Sequence, residues 1–348
     1  MINLIITLLV GGAAGFALYK LKFPGGMIVG SIVGVSLLNI LTGNAYMPAN
    51  ARLAAQVVAG AFIGVSVSKE DLKRLKHIAG PAAAMLIGML ALNLTSGYLI
   101  YLLSPLDLLT SLMSAVPGGM SDTPIISAEM GADASKVAVL QFVRLLAGIG
   151  LFPLMIGIIA RKHHEDTSPV PYIKPQRAAG RRLNGEILLT MSVALIFGII
   201  GRETGIPAGA LLFSLLSVLT LKLSTSIGWL PRWIKRLAQI LSGAYIGSSV
   251  EYADVLEIRY LAVPAIILVV GYVVLCIFLG YFIHKKFNMS FRESMLSVTP
   301  AGATDMALIA SDLGIQSSDV IVLQIVRLVV VISVFPQLIN LIVIFAGR

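Results

Sequence analysis

The feature that most constrains this chain is an internal duplication with an offset of 183 residues. Residues 117–156 align with residues 300–339 without a gap, and 17 of the 40 positions are identical. The identities include polar and charged pairs: Asp122/Asp305, Gln141/Gln324 and Arg144/Arg327. Charged side chains are costly in apolar surroundings, so their repetition favours a functional site over chance similarity. The duplication predicts two copies of one structural unit.

The composition places both copies in a lipid bilayer. Hydrophobic residues make up 57% of the chain, charged residues make up 12%, and the mean hydropathy is +0.92. Apolar runs of membrane length recur along the whole sequence, which is typical of a polytopic membrane protein. The longest polar stretch is too short to fold alone. We therefore predict a first membrane repeat at 1–160, a basic linker at 161–183 and a second membrane repeat at 184–348.

Each repeat is predicted to contain five spanning helices and one segment broken by proline or glycine. The predicted spans are 2–19, 26–43, 52–68, 79–103 and 136–160, then 186–201, 208–223, 236–250, 261–283 and 319–345. The broken segments are 106–132 and 291–315. Each arm of the first has about ten residues, roughly 15 Å of helix, which is half the hydrocarbon thickness. This length favours a re-entrant helical hairpin, whose tip must be buried in protein or line a cavity.

The distribution of Lys and Arg predicts that the second repeat is inverted. Five spans and a hairpin make an odd number of crossings in each repeat. With both termini outside and the linker in the cytoplasm, 19 of the 26 Lys and Arg residues lie inside and five lie outside. Full crossings by the broken segments would instead give parallel repeats and place eleven outside. The positive-inside rule favours inversion, and it explains the net charge of +9 without a nucleic-acid partner.

The two hairpin tips form the predicted site. The first tip contributes Gly118, Gly119, Ser121 and Asp122, and the second contributes Gly302, Thr304 and Asp305. Each aspartate follows a glycine-containing turn and precedes an apolar helix, where a carboxylate can cap the helix and free N–H groups attract anions. Two interpretations of the aspartates stay open. They cap the second arm only, or they couple transport to an ion by binding Na⁺ or a proton.

Arg144 and Arg327 lie deep in the predicted membrane. Each follows by nine residues a serine that can cap its helix (Ser135 in the first repeat), which is about 13.5 Å of helical rise. A buried guanidinium needs a partner, either the aspartate of a hairpin tip or the carboxylate of a substrate. Gln141 and Gln324 lie three residues earlier on the same helix face and extend the polar patch.

The third predicted helix of each repeat carries two glycines four residues apart. These are Gly60 and Gly64 in the first repeat, and Gly243 and Gly247 in the second. Small residues at this spacing favour close packing of two helices. Lining of a substrate path is the alternative interpretation.

The duplicated motif has a distinctive pattern of conserved residue types between its two copies. It reads P-[GA]-G-x-[ST]-D, then an acidic residue two positions before a glycine, then V-x-V-L-Q-x-V-R-L and F-P. This signature resembles the AbrB family of bacterial membrane proteins over nearly the whole chain. The resemblance implies two AbrB duplication domains in the cytoplasmic (inner) membrane, and the family name implies regulation of gene expression. Members are often labelled ammonia monooxygenases. The architecture is more distantly similar to the citrate:sodium and glutamate:sodium symporters, which implies no substrate.

These observations predict an ion-coupled secondary transporter rather than an enzyme. Inverted repeats whose broken helices meet at the membrane centre are typical of such transporters. We expect a small, carboxylate-bearing solute, no cofactor beyond the coupling ion, and hairpins that move against a homodimeric scaffold. The four histidines are scattered along the chain, so we expect no metal site. The alternative is a membrane-embedded sensor that regulates gene expression without transport.

Overall fold

The computed structural model of the chain is built from α-helices. It describes residues 2–21, 23, 25–162, 183–225, 227–300 and 318–346. These ranges contain no β-strand, and their long helices match the predicted spans to within a few residues at most ends. The predicted all-α fold is confirmed.

The helices of the two repeats follow the same order along the chain. The first repeat forms α1 Ile2–Lys20, α2 Gly26–Thr42, α3 Ala49–Ser66, α4 Lys69–Leu75, α5 Ala79–Leu103, α6 Leu108–Ser114, α7 Thr123–Met130 and α8 Ala134–Lys162. The described part of the second repeat forms α9 Leu183–Glu203, α10 Gly209–Thr225, α11 Arg232–Gly247, α12 Tyr252–Glu257, a 3-10 turn Ile258–Leu261, α13 Ala262–Phe287, α14 Phe291–Val298 and α15 Ser318–Ala346.

Six of these helices are long and apolar enough to cross a membrane: α1, α5, α8, α9, α13 and α15. Helices α3 and α4 make a seventh candidate if they are counted together, although the chain bends by 70° between them. Helices α2 and α10 are apolar but shorter, with 17 residues each. The helix lengths are those of a multi-pass membrane protein, as predicted.

Two aspartates set the beginnings of α6 and α8. Asp107 Oδ1 accepts a hydrogen bond from the backbone N–H of Thr110 at 2.9 Å. Asp133 Oδ1 accepts bonds from the backbone N–H groups of Ser135 and Lys136, at 3.1 Å each. The prediction that Ser135 caps this helix is therefore wrong, because the carboxylate two residues earlier already satisfies the free N–H groups of the first turn.

The broken segment of the first repeat forms a hairpin, here called hairpin 1, which consists of α6, α7 and residues 115–122 between them. The backbone N–H of Asp133 donates to Thr110 Oγ1 at 3.0 Å. The chain therefore leaves hairpin 1 beside the point where it entered. In the second repeat, α14 forms the first arm, and residues 301–315 lie outside the described residues.

The described helices pack into two groups, and each group draws on both repeats. The scaffold group contains α1, α2, α3, α9, α10 and α11, and the hairpin group contains α5, α6, α7, α8, α13, α14 and α15. Packing is denser within each group than between them, although apolar residues of both groups meet in shared clusters, such as that of Ile28, Met120 and Leu145. The connections between the groups include a hydrogen bond from Gln337 Nε2 to the carbonyl oxygen of Pro207 at 2.6 Å, and the stacked rings of Phe23 and Phe142. The division between the groups thus falls after α3 in the first repeat and after α11 in the second.

Reciprocal contacts between the repeats hold the scaffold group together. A Cβ placed on Gly64 of α3 would lie 2.8 Å from the carbonyl oxygen of Leu215 on α10. At the equivalent positions, a Cβ on Gly247 of α11 would lie 2.7 Å from the carbonyl oxygen of Ile32 on α2. Both distances leave no room for a side chain, so the backbones touch only because the residues are glycines. The predicted close packing is confirmed.

The same contacts fix the relative direction of two helices. One turn before Gly247, Gly243 meets the carbonyl oxygen of Ile28, one turn before Ile32. The residue numbers therefore rise together on both helices. Helix α11 runs beside α2 in the same direction.

Candidate functional site

The C-terminal end of α6 is bound by two side chains of α8. Gln141 Nε2 donates to the carbonyl oxygens of Ser114 and Val116, at 3.1 and 2.9 Å. Arg144 Nη1 donates to the same Val116 oxygen at 2.7 Å, and its Nη2 donates to the oxygen of Gly118. Both side chains are buried, with Arg144 only 3% exposed. A broken helix leaves carbonyl groups without intrahelical partners, and a cation also complements the negative end of the helix dipole.

Two more helices supply donors to the same stretch of backbone. Asn93 Nδ2 on α5 donates to the carbonyl oxygen of Leu112 at 2.8 Å. The hydroxyl group of Tyr272 on α13 donates to the carbonyl oxygen of Ala115 at 2.9 Å. The guanidinium carbon of Arg144 lies 6.0 Å from the centre of the Tyr272 ring. Because Tyr272 belongs to the second repeat, both repeats hold hairpin 1.

The second repeat binds the end of α14 in the same way. Gln324 Nε2 donates to the carbonyl oxygen of Leu296 at 2.7 Å, and Arg327 Nη1 donates to that of Thr299 at 2.7 Å. These two acceptors are the exact counterparts, at the offset of 183, of Met113 and Val116 in the first repeat. In both copies, therefore, a glutamine and an arginine of the following long helix bind the carbonyl groups at the end of the first arm.

The repeats differ at two positions around these helix ends. Cys276 stands where the first repeat has Asn93, and its Sγ lies 3.5 Å from the carbonyl oxygen of Met295. Tyr272 stands where the first repeat has Met89, which has no hydroxyl group. The end of α14 is therefore contacted by the thiol of Cys276, where α6 accepts a hydrogen bond from the amide of Asn93. In addition, α6 accepts a hydrogen bond from the phenol of Tyr272, which belongs to the other repeat.

These bonds change the interpretation of the two arginines. Arg144 and Arg327 are close enough to act electrostatically on each other and on Tyr272. Arg144 makes no ion pair with Asp122, and both of its Nη groups bind backbone carbonyls. The described hydrogen bond of Arg327 also goes to a carbonyl. Both guanidinium groups therefore position the backbone of a broken helix, a role that the sequence analysis did not consider.

Asp122 lies at the tip of hairpin 1, directly before the first residue of α7. Its side chain makes no capping hydrogen bond, and its backbone has φ −103° and ψ −43°. An N-cap residue usually has extended backbone angles that aim its side chain at the free N–H groups, so this geometry does not favour capping. The carboxylate lies within electrostatic range of Lys235 on α11. Capping alone therefore does not account for Asp122.

The tip also touches the scaffold group through Ser121. Gln239 Nε2 on α11 donates to Ser121 Oγ at 3.3 Å. On the other side of the tip, a Cβ on Gly119 would lie 2.6 Å from Asp122 Oδ2, and one on Gly118 would collide with Thr123 Oγ1. A side chain at either glycine would therefore displace the Thr123 hydroxyl group or the Asp122 carboxylate from its present position.

The opposite end of α7 meets the equivalent scaffold residues of the first repeat. Gln56, the counterpart of Gln239, donates its Nε2 to Glu129 Oε2. Arg52, on the same helix α3, donates its Nη1 to the carbonyl oxygen of Ala128 at 3.2 Å. Glu129 lies seven residues after Asp122, about 10 Å along the helix. Helix α7 is therefore contacted at each end by a scaffold helix of a different repeat.

Sequence analysis missed these four scaffold residues as members of the site. A signal was nevertheless present, because the offset of 183 pairs Arg52 with Lys235 and Gln56 with Gln239. In both repeats the cation stands four residues before the glutamine, on one face of a helix. Duplicated polar and charged residues therefore mark the third helix of each repeat as well as the hairpin segments.

The remaining predicted site residues, Gly302, Thr304 and Asp305, lie outside the described residues. Of the site predicted in the second repeat, the structure describes Gln324 and Arg327. Of the first repeat, it describes every predicted residue, from Gly118 to Arg144.

A cavity of about 390 Å³ lies between the two helix groups beside the C-terminal end of α7. Its wall includes Ala128 and Asp133 from the hairpin group, and Tyr245 from α11. Arg52 borders this region, since its guanidinium carbon lies 5.9 Å from the centre of the Tyr245 ring. The cavity thus separates the two groups beside this end of α7, while Gln56 and Arg52 contact the helix end itself.

Comparison with known proteins gives matches over nearly the whole length. The sequence profile of the family described as "Transition state regulatory protein AbrB" matches residues 27–343. The chain is 23% identical over 344 residues to the Bacillus subtilis (strain 168) protein named "Uncharacterized protein YhjN", which covers 94% of this chain and 90% of that protein. It is 22% identical over 328 residues to the Escherichia coli (strain K12) protein named "Putative regulator AbrB", which covers 93% of this chain and 92% of that protein. The similarity extends over both repeats.

Proposed function

The chain belongs to the AbrB family, and we propose that it is an ion-coupled secondary transporter of a small, carboxylate-bearing solute in the bacterial cytoplasmic membrane. One observation carries the proposal. Buried donors fix the tip of hairpin 1 within the hairpin group, whereas its contacts with the scaffold group are isolated hydrogen bonds at the two ends of α7 and the apolar packing of Met120 and Ile125. A tip that is held by buried hydrogen bonds in its own group, and by fewer, partly exposed ones to the other, is suited to alternating access.

The strength of these contacts supports a motion between the groups. The bonds of Gln141 and Arg144 are buried, and breaking them would leave carbonyl groups unsatisfied, at about 1–3 kcal/mol each. The contact between Gln239 and Ser121 is a single, long hydrogen bond between partly exposed groups, which water can replace at little cost. The hairpin group would therefore move as a unit, and Met120 and Ile125 would slide along the scaffold, because apolar packing has no fixed direction.

The proposal assigns different roles to the charged residues. Asp122 has no capping bond and would bind the coupling ion, Na⁺ or a proton. Lys235 and Arg52, which the two scaffold helices present to opposite ends of α7, would attract the carboxylate of the solute. Arg144 and Gln141 would position the tip and make no direct contact with the solute.

The proposal includes inverted repeats, which the direction of α2 and α11 supports. Residues 43–48 connect α2 to α3, too few to lead the chain back along a whole helix, so α3 runs opposite to α2. Helix α11 is the second copy of α3, yet it runs in the same direction as α2. The two copies of this helix would therefore have opposite orientations.

Contacts between the ends of helices support the same topology. Tyr19 with Arg236, and Arg74 with Asp319, join residues that the charge distribution places in the cytoplasm. Lys136 with Glu257 joins residues predicted to lie on the opposite side.

The proposal also includes a homodimer formed through the scaffold group, which would hold the scaffold fixed while the hairpin group moves. The mass of the purified protein in detergent tests that part of the proposal.

A flux assay in liposomes tests the function. Purified protein is reconstituted, a Na⁺ or a pH gradient is imposed, and uptake of labelled mono-, di- and tricarboxylates is measured for the wild type and for Lys235→Gln. We expect accumulation of one class of acid that depends on the gradient, and a higher KM in Lys235→Gln. Absence of gradient-driven uptake across the panel, from protein whose thermal unfolding is cooperative, would contradict the proposal.

A second candidate function is a membrane-embedded sensor that regulates gene expression. It is favoured by the printed name of the Escherichia coli relative, which describes a regulator. In a sensor, the same site would bind its ligand without flux. A ligand-dependent rise in melting temperature, together with no uptake of that ligand in liposomes, would favour the sensor over the transporter.

A further inference from the structure

The short helix α4 and its counterpart in the second repeat carry opposite charges. Residues 68–77 contain four Lys or Arg and two acidic residues, whereas the equivalent residues 251–260 contain one Arg and three acidic residues. Both segments connect the scaffold group to the hairpin group. The difference in sign indicates that the two connections face different surroundings.

Helix α4 has the geometry of a helix at a membrane surface. The chain bends by 70° between α3 and α4, so α4 lies nearly perpendicular to α3 and close to the bilayer plane if α3 crosses the membrane. Ser68 forms a capping box with Asp71, which fixes the beginning of the helix. Leu75 packs against the buried core, and Leu72 is 40% exposed. The helix thus has one apolar edge, partly inside the protein and partly open to its surroundings.

Three lysines occupy the face next to this apolar edge. Lys69, Lys73 and Lys76 are spaced by four and three residues, which places them on one side of the helix. All three are exposed, and none is among the ion pairs of the described residues. Arg74 points elsewhere, since its Nη1 lies 3.3 Å from Asp319 Oδ1 on α15. Three unpaired ammonium groups beside an exposed leucine match the boundary between phosphate headgroups and acyl chains.

A second basic segment lies near this face. The ring of Phe287, at the end of α13, packs directly against Gly80 at the beginning of α5. Lys285 and Lys286, which precede Phe287, are both exposed. The positive charge therefore extends from α4 to the end of α13.

We propose that the lysine face of α4 binds the headgroups of anionic phospholipids. Leu72 enters the acyl boundary, and Lys69, Lys73 and Lys76 bind lipid phosphates. Because α4 connects the two groups and contacts α15 through Arg74, a lipid bound here restrains the movement of the hairpin group relative to the scaffold. The site exists whether or not the protein transports a solute, so it is independent of the function proposed above.

Native mass spectrometry of the full-length protein tests the proposal. The protein is released from mixed micelles of phosphatidylglycerol and phosphatidylcholine, and the lipids retained on it are counted. The triple variant Lys69→Gln, Lys73→Gln, Lys76→Gln keeps good helix formers and removes only the charge. Arg259→Gln, in the acidic counterpart of α4, is the matched control.

We expect the wild type and Arg259→Gln to retain phosphatidylglycerol in preference to phosphatidylcholine. The triple variant should lose this preference, with about a fivefold weaker retention for each lysine removed. Equal retention of phosphatidylglycerol by the wild type and the triple variant would overturn the proposal. Complete displacement of the lipid by glycerol phosphate would also overturn it, because the site would then bind a free phosphate. If the triple variant does not unfold cooperatively, the three single variants provide the same comparison.

Discussion

Gln56 and Gln239 occupy equivalent positions in the two repeats, and both donate hydrogen bonds to the same hairpin. Gln239 binds Ser121 just before α7, and Gln56 binds Glu129 at the C-terminal end of α7. One helix of hairpin 1 is therefore held between two copies of one scaffold helix. Any displacement of the hairpin group relative to the scaffold would therefore change the distances from α7 to α3 and α11.

Replacement of Asp122 by Asn should remove the dependence of transport on the ion gradient. The amide keeps the size of the side chain but cannot exchange a proton or neutralise Na⁺. We expect uptake at equal concentrations to persist and accumulation against a gradient to disappear. Counterflow and gradient-driven uptake in the same liposomes separate the two effects, and Asp107→Asn, which alters a helix cap of the same hairpin, is the control. Normal accumulation by Asp122→Asn would exclude this residue as the coupling group.

Replacement of Arg144 by Gln should lower stability more than it alters solute binding. The change removes donors to Val116 and Gly118 and leaves the Gly118 carbonyl group without its bond. We expect the free energy of unfolding to fall by about 2 kcal/mol or more. Thermal unfolding of the purified protein measures it, with the exposed Arg259→Gln as the control. Unchanged stability together with lost solute affinity would instead support the role in substrate binding that the sequence predicts.

The glycines of α3 provide a test of the scaffold packing. Gly60→Ala should destabilise the protein by about 1–3 kcal/mol, because the new Cβ would collide with the carbonyl oxygen of Leu211. Gly12→Ala on α1 is the matched control, since a Cβ there meets nothing within 4 Å. The control should be neutral or stabilising by about 0.5–1 kcal/mol, because alanine favours a helix over glycine. Equal melting temperatures of the two variants would contradict the packing.

Much of the helical layout could be predicted from the sequence, because apolar runs and membrane length decide it. The hairpin was predictable for the same reason, since its arms are too short to cross. The roles of the arginines were not predictable. A guanidinium in an apolar helix needs a partner, but the sequence does not show that broken helices offer backbone carbonyls as partners. Arg144 therefore suggested an ion pair with Asp122, which the structure does not contain.

Which helices belong to which of the two groups could not be predicted from the sequence. Hydropathy identifies each helix but not its neighbours, and the groups cut across both repeats. The contribution of Tyr272 illustrates this, since it lies on a helix of the second repeat and binds the hairpin of the first. Only contacts between residues 157 positions apart reveal that relationship.

Cysteine labelling tests the inverted topology. Tyr46 and Trp229 are equivalent residues in the loops before α3 and α11, and both are exposed, by 54% and 40%. The native Cys276 is buried, so it should not react with a membrane-impermeant maleimide. We expect Tyr46→Cys to be labelled from outside intact cells and Trp229→Cys only after lysis. Labelling of both from the same side would exclude inversion.

Tyr272→Phe should loosen hairpin 1 without changing the shape of its surroundings. The change removes one hydroxyl group and leaves the ring beside Arg144, but the carbonyl oxygen of Ala115 loses its 2.9 Å bond in a buried position. We expect a loss of about 1–3 kcal/mol in the free energy of unfolding. Amide hydrogen exchange should also become faster in residues 108–122. Helix α14 of the second repeat should be unaffected, because Met89, the equivalent of Tyr272, has no hydroxyl group to donate. Tyr281→Phe, on the exposed face of the same helix, is the control and should change neither measurement. Faster exchange throughout the hairpin group would indicate a general loss of packing, whereas a change confined to hairpin 1 would establish that a side chain of the second repeat positions the tip of the first.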